Sequence, residues 1–266
     1  MLVLSLFPGI DLFGRGFEEE GYCIVRGPDL LWGGDVRDFH PPAGRFDGII
    51  GGSPCQDFSK ARRTPPTGYG LEMLHEFERV IEEAQPQWFL LENVPTVPDL
   101  RVDGYMVQRL DLNARECGAT QNRPRHFQFG SRDGLQIVPA RAPANCAASQ
   151  SAALASEGKK AGRRGWQDFC RLQGLPDAID LPGMTLSARY AAVGNGVHVD
   201  VARTLARAIK EAINNPCSVT LCACHCGRPV SGRQTYAAPA CRKRIERRKR
   251  KRDSLMLAER GHVTEA

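Results

Sequence analysis

The sequence predicts an α/β fold built around a parallel sheet, and three observations predict it. Apolar runs of strand length recur at Leu2 to Phe7, Tyr22 to Arg26, Phe46 to Ile50 and Trp88 to Leu91. Segments with helical periodicity lie among them, at Leu12 to Glu20 and Leu71 to Ala84. Turn formers close the first three runs: Pro8-Gly9, Gly27-Pro28 and Gly51-Gly52. Such alternation implies parallel strands joined by crossover helices. The fourth run meets Glu92 instead. From Ser131 to Arg164 the chain is rich in Ala, Arg, Pro, Ser and Gly and shows no strong period. Trp166 to Leu175 reads as helix again. His198 to Asn214 is the clearest helix, with Val201, Leu205, Ala208, Ile209 and Ile213 on one face. Beyond Pro216 the composition turns to cysteine and then arginine, which sets a domain boundary there. No internal repeat is visible.

With 266 residues and 42% hydrophobic content, the chain can bury one sizeable core and carry a small appendage. Arg242 to Arg252 holds nine Lys or Arg against one Glu, so the remainder of this +6 chain carries about −2. A near-neutral body with a strongly basic tail points to a polyanionic partner at one end. No basic segment precedes Leu2 to Phe7, and Pro8, Gly9 and Asp11 interrupt that run, which argues against a signal peptide. No stretch has the ~18–20 apolar residues of a membrane span. Ten cysteines without an export signal suggest thiols or metal ligands in a reducing, cytoplasmic compartment.

Candidate chemistry gathers at the strand ends, where open α/β sheets bind ligands. Phe7-Pro8-Gly9-Ile10-Asp11 leaves a strand and opens a helix. Its glycine lets backbone approach a ligand and Phe7 offers a stacking face, but an ordinary strand-to-helix turn reads the same. Gly51 to Ser59 places Cys55 just past an apolar strand. That place suits a nucleophilic thiol, and a buried structural cysteine fits it equally. Glu92, in Leu90 to Pro95, is a candidate proton donor or hydrogen-bond partner for a ring nitrogen, or a capping or surface residue. Gln121-Asn122-Arg123-Pro124-Arg125 sets two guanidinium groups on one side if extended, suited to phosphate and carbonyl oxygens or to a solvated strand.

In order, Phe-x-Gly, Pro-Cys-Gln, Glu-Asn-Val, Gln-x-Arg-x-Arg and Gly-Asn-x-Val resemble the motif series of DNA cytosine-5 methyltransferases, over residues 1 to about 214. Further similarity lies in Gly34-Asp35-Val36, Arg171 to Pro176 and Ala192 to Val197. The resemblance implies an S-adenosylmethionine-dependent, Rossmann-like mixed sheet with helices on both faces. Residues 1–130 plus 184–215 would form its catalytic domain, and 131–183 a short target-recognition region. It implies Cys55 as the nucleophile that adds to cytosine C6, and Glu92 as the acid that engages N3 and the exocyclic amine. Arg125 would hold the base carbonyl, with Arg123 beside it. Phe7, Gly9 and Ile10 match the adenosyl-binding turn, Asp35 and Val36 the adenine contacts, and Pro54 the methyl-donor pocket. Asn195 and Val197 match the late motif, and Lys60 to Gly70 the mobile loop that closes over DNA. Three departures stand out. Ser5 sits where the family usually has Asp, Asp11 and Leu12 replace the usual glycines, and Asp29 is the best substitute for the acid that binds ribose hydroxyls. Because the target atom is inaccessible in a duplex, base flipping is implied.

The implied partner is double-stranded DNA, met by a monomer of bacterial or phage origin, with a cognate restriction nuclease acting separately. Transfer RNA as substrate, or a non-catalytic DNA-binding relative, are the competing readings. The tail resembles small zinc-binding modules. Cys222, Cys224, Cys226 and Cys241 could supply four sulfurs, or His225 could replace one, and Ala237 sits where such modules often carry another cysteine. Reduced, unliganded thiols are the alternative. The basic run suits phosphate binding rather than sequence reading.

Overall fold

The computed structural model describes residues 1–59, 62, 64–142, 149–216, 222–224, 230, 234–243 and 245–247. The chain divides into two compact units, Met1–Pro216 and Cys217–Ala266. The first is built on a six-stranded sheet of order β2-β1-β3-β4-β7-β5, from β1 (Leu2–Leu6), β2 (Cys23–Arg26), β3 (Gly48–Gly52), β4 (Trp88–Asn93), β5 (Met106–Asn113) and β7 (Pro124–Ser131). β2, β1, β3 and β4 run parallel, while β7 is antiparallel to both β4 and β5. The sheet is therefore mixed, parallel over the four strands that strand–helix alternation predicted. A two-strand ladder joins β6 (Gln121–Asn122) to β8 (Gln150–Ser151).

The central strands β1, β3 and β4 are buried on both sides, as strands covered on both faces must be. Val3, Ile50, Trp88 and Leu90 enter one core with Phe13 and Phe17 of α1 (Leu12–Glu19) and Val201, Leu205 and Ile209 of α5 (Val199–Asn214). Leu4, Ile49, Phe89 and Leu91 enter the opposite core with Met73, Phe77, Val80 and Ile81 of α2 (Tyr69–Ala84). Each buried aliphatic side chain removes about 1.5–3 kcal/mol of apolar surface cost from water, so the two layers hold the sheet. α1 and α5 touch closely: a Cβ at Gly16 would lie 2.4 Å from Ala202 Cβ. A third cluster joins α3 (Trp166–Leu172) and α4 (Leu186–Asn195) through Phe169, Cys170, Tyr190 and Val193. Thr185 caps α4 by accepting from the Ala188 N–H. None of the described helices is long and apolar enough to cross a membrane.

Candidate active site

The carboxyl ends of β1, β3 and β4 lie side by side, because Leu6 pairs with Gly51 and Gly52 with Glu92. Three loops therefore open onto one crevice beside the strand-order reversal, the ligand-binding place of this architecture.

The loop after β3 carries Ser53, Pro54 and Cys55. Cys55 has φ −101°, ψ 0° and precedes a single 3-10 turn, Gln56–Phe58. Asn93, at the end of β4, holds this loop: its Nδ2 donates to Ser53 O (3.1 Å) and Ser53 Oγ (3.0 Å). Asp57 closes the next stretch, accepting from the Thr67 N–H (2.9 Å) and the Gly70 N–H (2.9 Å). Within the expected mobile loop, Lys60, Ala61 and Arg63 lie outside the described residues.

Glu92 is 8% exposed and accepts from Arg125 Nε at 2.9 Å. Its other oxygen lies 3.3 Å from where a Gly52 Cβ would stand, so the carboxylate reaches across toward β3. Burial pushes the Glu92 carboxyl up, and the charges of Arg125 and Arg123 oppose that. Burial likewise pushes the Cys55 thiol up. The Glu92 charge adds to this, while Arg125 and Arg123 pull it back down. A thiol, an acid and two guanidinium groups thus form one electrostatic cluster.

The two arginines part ways. Arg125 begins β7 beside Glu92 and stays partly exposed. Arg123 lies between β6 and β7 and is 3% exposed. Its Nη1 donates to Ala153 O (2.8 Å), and its Nη2 donates to Gly194 O (2.8 Å) and Gly196 O (3.1 Å). Both Nη nitrogens are therefore engaged by backbone carbonyls, while Arg125 pairs with Glu92. Gln173 shares the task, its Nε2 donating to Val193 O (2.7 Å) and Gly196 O (3.0 Å), and Gln121 Nε2 donates in turn to Gln173 Oε1 (2.9 Å). His198 caps α5 through Nδ1, which accepts from the Asp200 N–H at 3.2 Å; burial, then the Arg123 charge, pulls its imidazole down to about 4.

The first turn is tightly coiled. Phe7 (φ 52°), Gly9 (φ 55°) and Asp11 (φ 55°) all lie in the left-handed region, a conformation a bulky residue such as Phe holds only under constraint. The Gly9 N–H donates to Asp29 Oδ2 (2.8 Å), and Trp32 Nε1 donates to Gly9 O (2.6 Å). Asp29 also accepts from the Leu31 N–H (2.8 Å), so its carboxylate stitches the loop after β2 to the turn after β1. Trp32 is 61% exposed, an aromatic face beside this turn that sequence reasoning passed over. Its signal was a large aromatic just before Gly33-Gly34-Asp35. Asp35 pairs with Arg37, and Val36 is buried in the α2-side core. Ile10 is half-buried, Asn195 is exposed at the end of α4, and Val197 is buried against α1 and α5. Nothing hinders an approach to Gly9, where an added Cβ would meet no atom within 4 Å.

Of the tail cysteines, Cys222, Cys224 and Cys241 come together, while Cys226 and His225 lie outside the described residues.

Residues 33–160 match the family model for the C-5 cytosine-specific DNA methylase. The type II methyltransferase M.FnuDI of Fusobacterium nucleatum is 30% identical over 170 residues, 52% of this chain and 48% of that protein. The chain spans about half the length of the curated relatives it matches. Among solved structures, the Entamoeba histolytica methyltransferase EhMeth superposes with a TM-score of 0.62 at 11% identity, covering 80% of this chain and 98% of that one. A prophage-encoded protein of E. coli, described as a DNA modification methyltransferase, gives 0.60 at 16%, covering 81% and 100%. At such identities these two speak for the fold alone.

Proposed function

We propose that this chain, a member of the C-5 cytosine-specific DNA methylase family, methylates cytosine at C5 in double-stranded DNA. The carrying observation is the cluster at the strand ends, where Cys55 shares one electrostatic environment with the buried Glu92 and its partly exposed partner Arg125. Cytosine C5 is a poor nucleophile. Addition of the Cys55 thiolate to C6 makes C5 enamine-like, and Glu92 offsets the charge by giving a hydrogen bond or a proton to N3. Burial favours its protonated form, while the charges of Arg125 and Arg123 oppose that. Arg125 neutralises Glu92 and offers its remaining N–H groups to the base carbonyl. Loss of the C5 proton and expulsion of the thiolate then restore both ring and enzyme.

S-adenosylmethionine supplies the sulfonium methyl group. The residues that would hold it are the open turn at Phe7, Gly9 and Ile10, the exposed face of Trp32, and the Asp29 and Asp35–Val36 loops. Pro54 would line the methyl side, and Asn195 and Val197 would close the site from the late motif. Asp29 fits a ribose only in part, because two of its lone pairs already serve Gly9 and Leu31. The type II relatives suggest a role in restriction and modification.

Transfer of labelled methyl from S-adenosylmethionine to duplex DNA, compared with RNA, tests this. Transfer to duplex DNA is expected, abolished in Cys55→Ser with cofactor binding intact. A duplex carrying 5-fluorocytosine should trap the parent as a covalent adduct, since the C5 fluorine cannot leave as a proton. Methylated RNA with untouched DNA would overturn the substrate, and normal turnover by Cys55→Ser the mechanism.

A further inference from the structure

Three sulfurs meet in the C-terminal unit. Cys222, Cys224 and Cys241 are 2%, 1% and 4% exposed, and their Sγ atoms all lie within 4.8 Å of one another. Cys222 Sγ and Cys224 Sγ are 3.5 Å apart, too far for a disulfide between them. As packing groups, three adjacent thiols gain little, because a thiol is a weak donor and a small hydrophobe.

The surrounding chain presents them deliberately. The Ala223 N–H donates to Thr235 O (2.9 Å), and the Ala237 N–H donates to Cys222 Sγ (3.1 Å), a contact suited to a sulfur that carries negative charge. Residues 239–243 and 245–247 are helical, with Cys241 and Ile245 turned inward and Arg242, Lys243 and Arg247 exposed. Among the described residues, Val230, Tyr236, Ala237, Ala238 and Ile245 pack around the sulfurs.

We propose that Cys222, Cys224 and Cys241 bind one zinc ion as thiolates, and that this ion forms the core of the C-terminal unit. Sulfurs at ~2.3 Å from zinc in tetrahedral array lie about 3.8 Å apart, so the set needs little contraction. All-thiolate donors select zinc over magnesium, calcium or manganese. Binding would deprotonate the thiols and tie the segment at Cys222–Cys224 to the helix that starts before Cys241. The fourth ligand lies beyond these three residues and is for the experiment to identify.

The full-length chain, purified reduced, should contain about one zinc. Cys224→Ser and Cys241→Ser should lose it, while Cys23→Ser, at an exposed position in the other unit, should keep it. Cobalt substitution should give an intense sulfur-to-cobalt charge-transfer band whose strength counts the thiolates. Since the variants could simply unfold this unit, the parent is also stripped with a chelator. The C-terminal unit should then become protease-sensitive, and added zinc alone should restore its protection. Less than about a tenth of a zinc per reduced chain after zinc supplementation, or zinc retained in both variants, would overturn the assignment.

Discussion

Replacing Arg123 by Met separates a residue that builds the site from one that acts in it. Arg123 donates to three carbonyls on two segments: Ala153 O, Gly194 O and Gly196 O, at 2.8, 2.8 and 3.1 Å. A hydrogen bond to a charged group contributes about 1.5–3 kcal/mol net. Three such bonds do not add fully, because removing the cation also removes its burial cost. That cost is real here: burial, then the nearby charge of Arg125, pulls the guanidinium below its usual range. A net loss of about 3–5 kcal/mol is expected for Arg123→Met. At about 2–4 °C per kcal/mol for a unit of this size, Tm should fall by roughly 6–20 °C. Arg125→Ala should cost less stability, since that side chain is partly exposed, yet slow methyl transfer more when both variants are assayed below their transitions. Thermal unfolding together with single-turnover transfer reads both quantities. If Arg123→Met unfolds within about 1 kcal/mol of the parent and loses turnover as severely as Arg125→Ala, Arg123 acts on the substrate and the reasoning fails.

Glu92→Gln should slow methyl transfer by ~10²–10⁴-fold. It should also speed alkylation of Cys55 by iodoacetamide at neutral pH, because the Glu92 charge opposes the thiolate; alkylation slower than in the parent would contradict the cluster. His198, held down to about 4 from an ordinary 6.5, stays neutral in the native state while the unfolded chain takes up a proton. Its contribution is fully present above pH 6.5 and is lost as pH falls toward 4, by up to about 3 kcal/mol. His198→Asn, which keeps an acceptor at the cap, should flatten that part of the stability–pH curve, and an unchanged slope would refute the assignment. Ending the chain after Pro216 should weaken DNA binding and reduce its salt slope by about 0.9 for each phosphate that the tail neutralises, with single-turnover chemistry intact at saturating DNA. Equal slopes would show that the basic tail anchors nothing.

The part of the sheet that could be read from the sequence is the part with continuous apolar strands, such as Val3-Leu4 and Trp88 to Leu91, which face a core on both sides. β5 escaped because it sits at the sheet edge and carries Gln108, Arg109 and Asp111. Gln108 is nevertheless buried, since its side chain exchanges hydrogen bonds with the Ile137 backbone and so stands in for a strand neighbour. α4 escaped because Leu186 to Asn195 is mostly small or polar residues without a periodic apolar face. Cys55, Glu92 and Arg125 were visible because each sits at or just beyond the end of a strand. The backbone contacts of Arg123 were not legible, because it lies at the break between β6 and β7. The tertiary partners that give it its task, Gly194 and Gly196, lie some seventy residues onward and leave no local trace.

The turn after β1 holds a lesson about comparing motifs letter by letter. The strand position that usually bears Asp holds Ser5, and a usual glycine position holds Asp11. In space these are one substitution. Ser5 Oγ donates to Asp11 Oδ1 (2.9 Å), which also accepts from the Gly14 N–H (2.9 Å), and Asp11 Oδ2 faces Arg26 Nε at 3.0 Å. Asp tolerates the left-handed backbone there better than most residues. The two positions are thus coupled in this chain, one supplying the hydroxyl and the other the carboxylate of a single buried contact. Reverting Ser5 alone would crowd two carboxylates into a space where both residues are almost fully covered, and reverting Asp11 alone would strand the partners it now satisfies.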